Sequence, residues 1–211
     1  MCKPLRYTLL TEGSSDETLK FPVNWALQEC GVTSFVDQWA DLRLHPSQPK
    51  RLWQRVRVVQ ADYPCDLLFV HRDADGGSLT TKLDEIQAAV ARASVVVRAV
   101  CVVPVKMTEA WLLHDEQAIR SAAGNPRGRV RLSLPAVSAI EDIANPKRLL
   151  KEALLDASES RGQRRSEKSK NFPRMRFRVA ELVSDWAPLR QLSAFRHFES
   201  LLSQTLASLN R

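Results

Sequence analysis

The segment 66-DLLFVHRDADGG-77 joins seven mainly apolar residues to two aspartates and two glycines, and the predicted fold follows from it. An apolar run of this length that stops at turn residues is typical of a strand buried on both faces. Residues two apart in an extended segment point to the same side, so Asp73 and Asp75 are predicted to converge, while Gly76 and Gly77 let the backbone approach a ligand closely. The pattern predicts a binding site at the strand end. The alternative is a plain turn, because turns also select Asp and Gly.

Strand-like and helix-like runs alternate on both sides of this stretch. The predicted strands are 5-LRYTLLTE-12, a short one in 39-WADLRLHP-46, and the β-branched run 94-SVVVRAVCVVPV-105. Helical apolar spacing lies between them, in 16–31, 49–64 and 79–93, and again in 108–124, where Thr108 is a candidate cap. Alternation of this kind predicts an α/β fold with a mainly parallel sheet flanked by helices.

The chain after residue 125 has a different sequence pattern. Residues 1–125 are predicted to form the α/β domain, and residues 126–211 a helical extension without strands. Within the extension, the segment 158–178 is polar and rich in arginine and lysine. It is interpreted either as a solvated linker or as an arm that orders on nucleic acid, where Phe172 and Phe177 could stack on bases.

Composition narrows the class of protein. The 211 residues are 44% hydrophobic and 26% charged, which is ordinary for a globular protein. The four cysteines are widely spaced without a zinc-binding pattern, no apolar run is long enough for a membrane span, and the first residues lack a signal-peptide pattern. We therefore expect a cytoplasmic protein without membrane contact. The net charge of +7 favours a polyanionic partner such as DNA or RNA.

Acidic residues also follow the first predicted strand. Ligands of an open parallel sheet collect at the carboxyl ends of its strands, where Glu12 and the two aspartates are expected to meet. Crowded carboxylates repel one another unless a cation lies among them, and Mg²⁺ is the hard cation that suits such ligands. The alternative for 14-SSDE-17 is a capping box, with Ser14 as the cap.

Two segments resemble the signature motifs of the Toprim domain, in which one strand ends in Glu-Gly and a later strand ends in Asp-x-Asp. These segments are 9-LLTEGSSDE-17 and 69-FVHRDADGG-77. A third segment, 103-VPVKMTEAWLLHDEQAIRSAAG-124, is similar to a bacterial family of Toprim-like proteins without an assigned activity. The likeness covers about residues 5–124, and it includes the Toprim nuclease part of OLD (overcoming lysogenization defect) nucleases.

The resemblance implies roles for individual residues. Glu12, Asp73 and Asp75 match the metal-binding and catalytic acids, and Asp16 matches a position that serves a second metal ion. Two further residues each have a functional and a structural interpretation. Lys106 is either a catalytic cation or a surface lysine. Glu109 is either a ligand of the second ion or a charge in the first turn of a helix. His71 is interpreted as structural.

The implied function is a Mg²⁺- or Mn²⁺-dependent nuclease that uses two ions to hydrolyse phosphodiester bonds. OLD nucleases carry an ABC-type ATPase that this chain lacks, so a separate ATPase subunit is expected, by analogy with toxic effectors of anti-phage defence. A homo-oligomer is a further expectation. The competing hypothesis is a non-catalytic nucleic-acid-binding or regulatory subunit on the same fold. The predicted nucleic-acid-binding residues are Arg161, Arg164, Arg165, Lys168, Lys170, Arg174, Arg176 and Arg178.

Overall fold

The computed structural model of the protein describes residues 3–209, and its centre is a four-stranded sheet. The strands are β1 (Leu5–Leu10), β2 (Phe35–Trp39), β3 (Leu67–His71) and β4 (Arg98–Val102). They lie in the order β2-β1-β3-β4, and every pairing is parallel. The predicted α/β class with a parallel sheet is confirmed.

Burial along the strands follows their place in the sheet. All five residues of β3 are buried, as expected for a central parallel strand that is covered on both faces. The edge strand β2 has an exposed middle. The strand predicted in 39–46 is wrong, because β2 ends at Trp39 and a turn follows, in which Arg43 donates to the Asp41 carboxylate.

Helices cover both faces of the sheet. One face packs against α2 (Leu52–Asp62) and α3 (Leu79–Ala93), and the other packs against α1 (Lys20–Glu29). A 3₁₀ turn, Ser14–Leu19, joins β1 to α1. Pro22 lies in the first turn of α1, where a proline removes no helical hydrogen bond.

The helix predicted for residues 108–124 is interrupted. A 3₁₀ turn spans Thr108–Leu112, and α4 (Glu116–Ala122) begins separately after it. Asp115 rather than Thr108 is the capping residue, because its Oδ1 accepts the N–H of Ala118 at 2.8 Å. A carboxylate at this position satisfies a free first-turn donor, and this competes with a continuous helix.

The Asp115 cap leads to a stability prediction. We expect Asp115→Ala to lower the free energy of unfolding by about 1 kcal/mol, because the Ala118 N–H loses its acceptor. Chemical denaturation measures the change. Asp115→Asn is the matched control, because it keeps the acceptor oxygen, and an equal loss in both variants would contradict the role of the cap.

The remaining chain is helical and packs on the sheet. Up to residue 209 it forms 3₁₀ turns at Val137–Asp142 and Ala187–Gln191, followed or separated by the helices α5 (Pro146–Ala157), α6 (Gly162–Lys170), α7 (Phe172–Leu182) and α8 (Ser193–Leu209). Phe198 of α8 lies with its ring centroid 6.3 Å from that of Phe69 in β3. One apolar core therefore includes residues from both sides of position 125. Among the described residues, no helix has the length and apolar character of a membrane span.

The basic segment 158–178 is not an irregular linker or arm. It forms α6 and the first half of α7, so both irregular interpretations are wrong for the free protein. Arginine, lysine and glutamine have high helix propensity, which explains α6, where no side chain is buried. In α7, Phe172, Met175 and Val179 add an apolar stripe that is buried against the rest of the chain.

Candidate active site at the switch point of the sheet

The candidate site lies where the strand order reverses. The chain passes from β1 to the outer strand β2 and then returns across β1 to β3, so the carboxyl ends of β1 and β3 border the switch point. Ligands of open parallel sheets bind in the crevice at such a point. Glu12 follows β1 and Asp73 follows β3, and the two meet: the Glu12 Oε2 accepts the Asp73 N–H at 3.3 Å.

His71 is the buried centre of this site. Its side chain is fully buried, and its Nδ1 accepts the N–H of Glu12 at 3.4 Å. The Nε2 therefore carries the proton, which it donates to the Asp73 Oδ1 at 3.1 Å. This ring connects the end of β1 to the carboxylate that follows β3. The sequence analysis interpreted His71 as structural, and this contact shows which carboxylate it holds.

Asp16 approaches the same histidine from the other side. Its Oδ2 lies 4.0 Å from the His71 Nδ1 and accepts the Gly13 N–H at 3.0 Å, and its Oδ1 accepts from the Ser15 hydroxyl at 3.1 Å. The predicted capping box was wrong in register, because Gly13 and Asp16 form the reciprocal contacts instead of Ser14 and Glu17. Asp16 is nevertheless buried next to the site, so capping and ligand binding are compatible roles for it.

The Asp73 carboxyl lies near two other carboxylates. Burial raises the pKa of its carboxyl above the ordinary value, and the neighbouring charges of Asp16 and Glu109 raise it further, whereas the contact with His71 lowers it. Its Oδ1 also accepts the N–H of Thr108 at 3.1 Å. A cation beside Asp73 would offset the cost of holding a buried carboxylate near two others.

Two arginines that the sequence analysis did not select surround Glu12. The Arg72 Nη1 lies 2.8 Å from the Glu12 Oε1, and its Nη2 lies 3.1 Å from the Glu85 Oε1. Arg55 donates to the backbone oxygens of Thr11 and Glu12, and burial, together with the charge of Arg72, lowers the pKa of its guanidinium. Nothing in the helical pattern of 52–62 distinguishes Arg55 from a surface arginine, since only the tertiary fold places it beside β1.

Asp75 and Lys106 are joined through the backbone. Both have positive φ, 49° and 67°, and the Asp75 N–H donates to the Lys106 carbonyl oxygen at 3.1 Å. Left-handed conformations of non-glycine residues cost free energy and cluster at functional sites. The Asp75 side chain is exposed, and among the described residues it makes no hydrogen bond and no ion pair. The structure therefore separates Asp75 from Asp73, because the backbone turns between them.

Glu109 forms a buried ion pair with Arg176. Its Oε1 accepts from the Arg176 Nη1 at 2.8 Å, and both side chains are more than nine-tenths buried. The first-turn position of Glu109 in a 3₁₀ turn is as expected. The ion pair occupies one carboxylate oxygen of Glu109, so a metal ion would bind there only if this contact rearranged, as at Glu12. The burial contradicts the prediction that Arg176 contacts nucleic acid directly from the surface.

The other predicted nucleic-acid-binding residues differ in whether their side chains already form ion pairs or hydrogen bonds within the protein. Arg165 pairs with Asp156, Arg178 pairs with Glu181, and Lys168 donates to the carbonyl oxygen of Ala123. The exposed ones without an ion pair among residues 3–209 are Arg161, Arg164, Lys170 and Arg174.

The acidic side chains of the site are of the type that binds divalent cations, but too few of them are grouped around one point. Carboxylate oxygens of Glu12, Asp16 and Asp73 are hard donors, and the raised pKa of Asp73 marks a position that favours positive charge. However, in the part of the chain that the structure describes, no three acidic, histidine or cysteine side chains are grouped to hold a metal ion. Arg72 already supplies positive charge to Glu12, so ion binding requires these contacts to rearrange.

His71 is expected to act by holding Asp73. We predict that His71→Leu weakens Mn²⁺ affinity by about 10- to 100-fold, because partners that orient a ligating carboxylate have effects of this size. Calorimetric titration of the folded variant measures the affinity. His71→Gln is the control, since its amide nitrogen can donate in place of Nε2, and an equal loss in both variants would contradict the positioning role.

Comparison of the chain with protein-family models, curated proteins and solved structures gave no match. The resemblance to Toprim domains therefore stays a prediction that depends on the quoted motifs and their order along the chain.

Proposed function

We propose that this chain is a Mg²⁺- or Mn²⁺-dependent nuclease that hydrolyses phosphodiester bonds of nucleic acid. The observation that carries the proposal is the meeting of Glu12, Asp16 and Asp73 around His71 at the switch point between β1 and β3. A ligand-binding crevice is expected at this point of the sheet, and its acids suit a cation that a phosphate also contacts.

The residues proposed to hold the cation are Glu12, Asp16 and Asp73. Such an ion would neutralise charge on the phosphate and lower the pKa of the attacking water. His71 and the Thr108 N–H hold the Asp73 carboxylate in one orientation. Asp75 and Glu109, which the resemblance also implies, are less suited in this conformation, because one is exposed on a turn and the other is paired with Arg176.

Cations of the protein would stabilise the reaction. Water attacks phosphorus, the bond to the leaving sugar oxygen breaks, and negative charge on the phosphoryl oxygens grows. Lys106 follows β4 in a left-handed turn beside Gly76, where its ammonium is a candidate for contact with these oxygens. Arg55 is a further candidate, because its half-buried guanidinium donates to backbone oxygens instead of pairing with a carboxylate.

Exposed positive charge supports a polymeric substrate. Arg161 immediately precedes α6, Arg164 and Lys170 lie on α6, and Arg174 lies on α7. All four are exposed and form no ion pair among residues 3–209. Such side chains bind phosphates without reading base sequence, so neither DNA nor RNA is favoured. A partner ATPase and a role as a toxic effector in phage defence extend the proposal by resemblance alone.

The direct test is a cleavage assay with the full chain. Supercoiled plasmid, single-stranded DNA and transfer RNA are each incubated with protein and Mg²⁺ or Mn²⁺. We expect cleavage of at least one substrate, and excess EDTA should stop it. No cleavage of any substrate with either metal, alone or with an ATPase partner, would reject the proposal.

The second candidate is a non-catalytic nucleic-acid-binding or regulatory subunit. The observation that favours it is the pairing of two candidate acids with arginines, Glu12 with Arg72 and Glu109 with Arg176. In this case the carboxylates stabilise the fold rather than bind an ion. It predicts that Glu12→Gln leaves the biological activity unchanged, whereas the nuclease proposal predicts its loss.

A further inference from the structure

A second basic segment, which the sequence analysis did not select, lies shortly after α4. This arginine segment reads 127-RGRVR-131, and residues 117–140 contain no aspartate or glutamate. Arg127, Arg129 and Arg131 are exposed. Within the described part of the chain, their guanidinium groups form no ion pair and no hydrogen bond. The three positive charges are therefore not neutralised by other described side chains.

Side chains from other parts of the fold hold the backbone of the arginine segment in place. The Glu159 Oε1 accepts the N–H groups of Arg129 and Val130 at 2.7 and 3.2 Å. The Arg120 Nη2, from α4, donates to the Val130 carbonyl oxygen at 2.7 Å. Leu132, the residue that follows the segment, is buried in the core. The segment is neither helix nor strand, yet its backbone is fixed by hydrogen bonds to these side chains.

Glu159 anchors the arginine segment without neutralising its charge. Its carboxylate forms no ion pair among the residues described, and the N–H groups of Val130 and Arg129 hold the pKa of this carboxyl below the ordinary value. Its own backbone is left-handed, with a φ of 51°, a conformation that costs a non-glycine residue free energy. A Cβ at Gly128 would lie 2.5 Å from the Asn125 Nδ2 and 2.9 Å from the Glu159 Oε1, so this approach requires a glycine.

The arginine segment lies beside the basic helix α6. Glu159, which anchors the segment, is followed two residues later by Arg161, and Arg164 lies one turn further along. The Lys168 Nζ donates to the carbonyl oxygen of Ala123, which is the residue after α4, so α6 packs against the chain just before the segment. The exposed positive charge of α6 therefore continues onto the arginine segment.

A surface of this composition matches the phosphate backbone of nucleic acid. Exposed arginines without acidic neighbours gain affinity because each phosphate contact releases condensed counterions. A guanidinium also donates several hydrogen bonds in a planar arrangement that fits phosphate oxygens. Because the backbone of the segment is already fixed, binding orders fewer groups and costs less conformational entropy.

We propose that the arginine segment binds the phosphate backbone of nucleic acid through Arg127, Arg129 and Arg131, as a continuation of the surface of α6. Glu159 and Arg120 are positioning residues, because they hold the backbone that carries these arginines. The inference rests on the nucleic-acid partner of the proposed function, but it does not require cleavage. It adds a contact surface that binds by charge and does not read base sequence.

The test measures binding without metal-dependent chemistry. Fluorescence anisotropy of a labelled DNA duplex and a labelled single-stranded RNA is recorded in excess EDTA over a range of salt concentrations. For the duplex, we expect Arg127→Ala/Arg129→Ala/Arg131→Ala to weaken binding about 100-fold near ~0.1 M salt and to reduce the slope of log K against log salt by about 3, as for the loss of three phosphate contacts. The melting temperature checks that the variant is folded.

Arg57→Ala/Arg92→Ala/Arg98→Ala is the matched control, because it removes the same positive charge. These arginines are exposed and form no ion pair among residues 3–209, and they lie on α2, α3 and β4, away from α4 and α6. We expect the control to keep most of the affinity and an unchanged salt slope. Equal losses in the two triple variants would overturn the proposal, because the effect would then follow net charge alone.

Glu159→Gln and Glu159→Ala separate the positioning of the arginines from net charge. Both remove one negative charge, but only glutamine keeps an oxygen that can accept the N–H groups of Arg129 and Val130. We expect Glu159→Gln to bind nucleic acid at least as tightly as the unchanged protein, and Glu159→Ala to bind about 3-fold more weakly than Glu159→Gln, because its segment must be ordered on binding. Equal affinity of the two variants would contradict the positioning role.

Polyglutamate and phosphatidylserine vesicles are further arms of the binding experiment. Arginine-dependent binding of either one, as strong as that of nucleic acid, would overturn the proposed partner. If arginine-dependent binding of nucleic acid holds while no substrate is cleaved with Mg²⁺ or Mn²⁺, the surface stands and the nuclease proposal fails. If the arginine triple variant binds and cleaves nucleic acid as the unchanged protein does, the surface fails and the nuclease proposal stands.

Discussion

Asp73→Asn is expected to abolish metal-dependent cleavage while the fold remains intact. The amide oxygen of asparagine can still accept from His71 and from the Thr108 N–H, so the local structure keeps its contacts. The negative charge that attracts a cation is lost. Metal-ion catalysis contributes several kcal/mol, so we expect a fall in kcat of about 10³-fold or more, measured from initial rates.

The stability of the same variant separates a functional role from a structural one. Burial and the charges of Asp16 and Glu109 raise the pKa of Asp73, so its ionised form is disfavoured in the folded protein. A neutral amide removes this cost, and we therefore expect the melting temperature to stay constant or to rise. Loss of activity together with loss of the folded state would contradict this account.

Asp75→Asn is the matched control for this experiment. The motif predicts that Asp73 and Asp75 are equivalent ligands, whereas the structure places Asp75 exposed on a left-handed turn. We expect Asp75→Asn to retain more activity than Asp73→Asn. Equal losses would show that the turn rearranges when the ion binds and that the motif describes the active conformation.

The sequence predicts the sheet and the place of the acids because both depend on local patterns. The apolar run before Asp73 forms a central strand, and Glu12 follows a second strand that is its neighbour. Because parallel strands end at the same edge, strand ends that are distant in sequence meet. The α/β class and the meeting of Glu12 with Asp73 follow from this rule alone.

The partners of the acids depend on tertiary contacts that have no local signature. Arg72 contacts Glu12 because β1 and β3 are neighbours, and Arg176 reaches Glu109 across 67 positions of the chain. The basic composition of 158–178 indicates a solvated segment. The same residue types are good helix formers, and the apolar stripe of α7 packs that helix against the core. Charge composition alone does not distinguish a buried Arg176 from an exposed Arg174.

Arg176→Met is expected to destabilise the protein by about 3–5 kcal/mol, the range for removing one partner of a buried ion pair. The loss arises because Glu109 keeps its charge in a buried position without a counterion. Urea denaturation with a fluorescence signal from the tryptophans measures the free energy of unfolding. Arg174→Met is the matched control, since Arg174 is exposed on the same helix, and a change within about 0.5 kcal/mol is expected there.

The double variant Glu109→Leu/Arg176→Met separates the pair from the packing of α7. Replacing both partners by apolar side chains removes the unpaired charge, and such replacements are often neutral or stabilising. We therefore expect the double variant to recover most of the stability that Arg176→Met loses. If the double variant were as unstable as the single one, the loss would come from the arginine stem and its packing on α7 rather than from the charge. An unchanged stability of Arg176→Met would show that the ion pair adds no net stability, and Glu109 would then be the freer to act as a ligand beside Asp73.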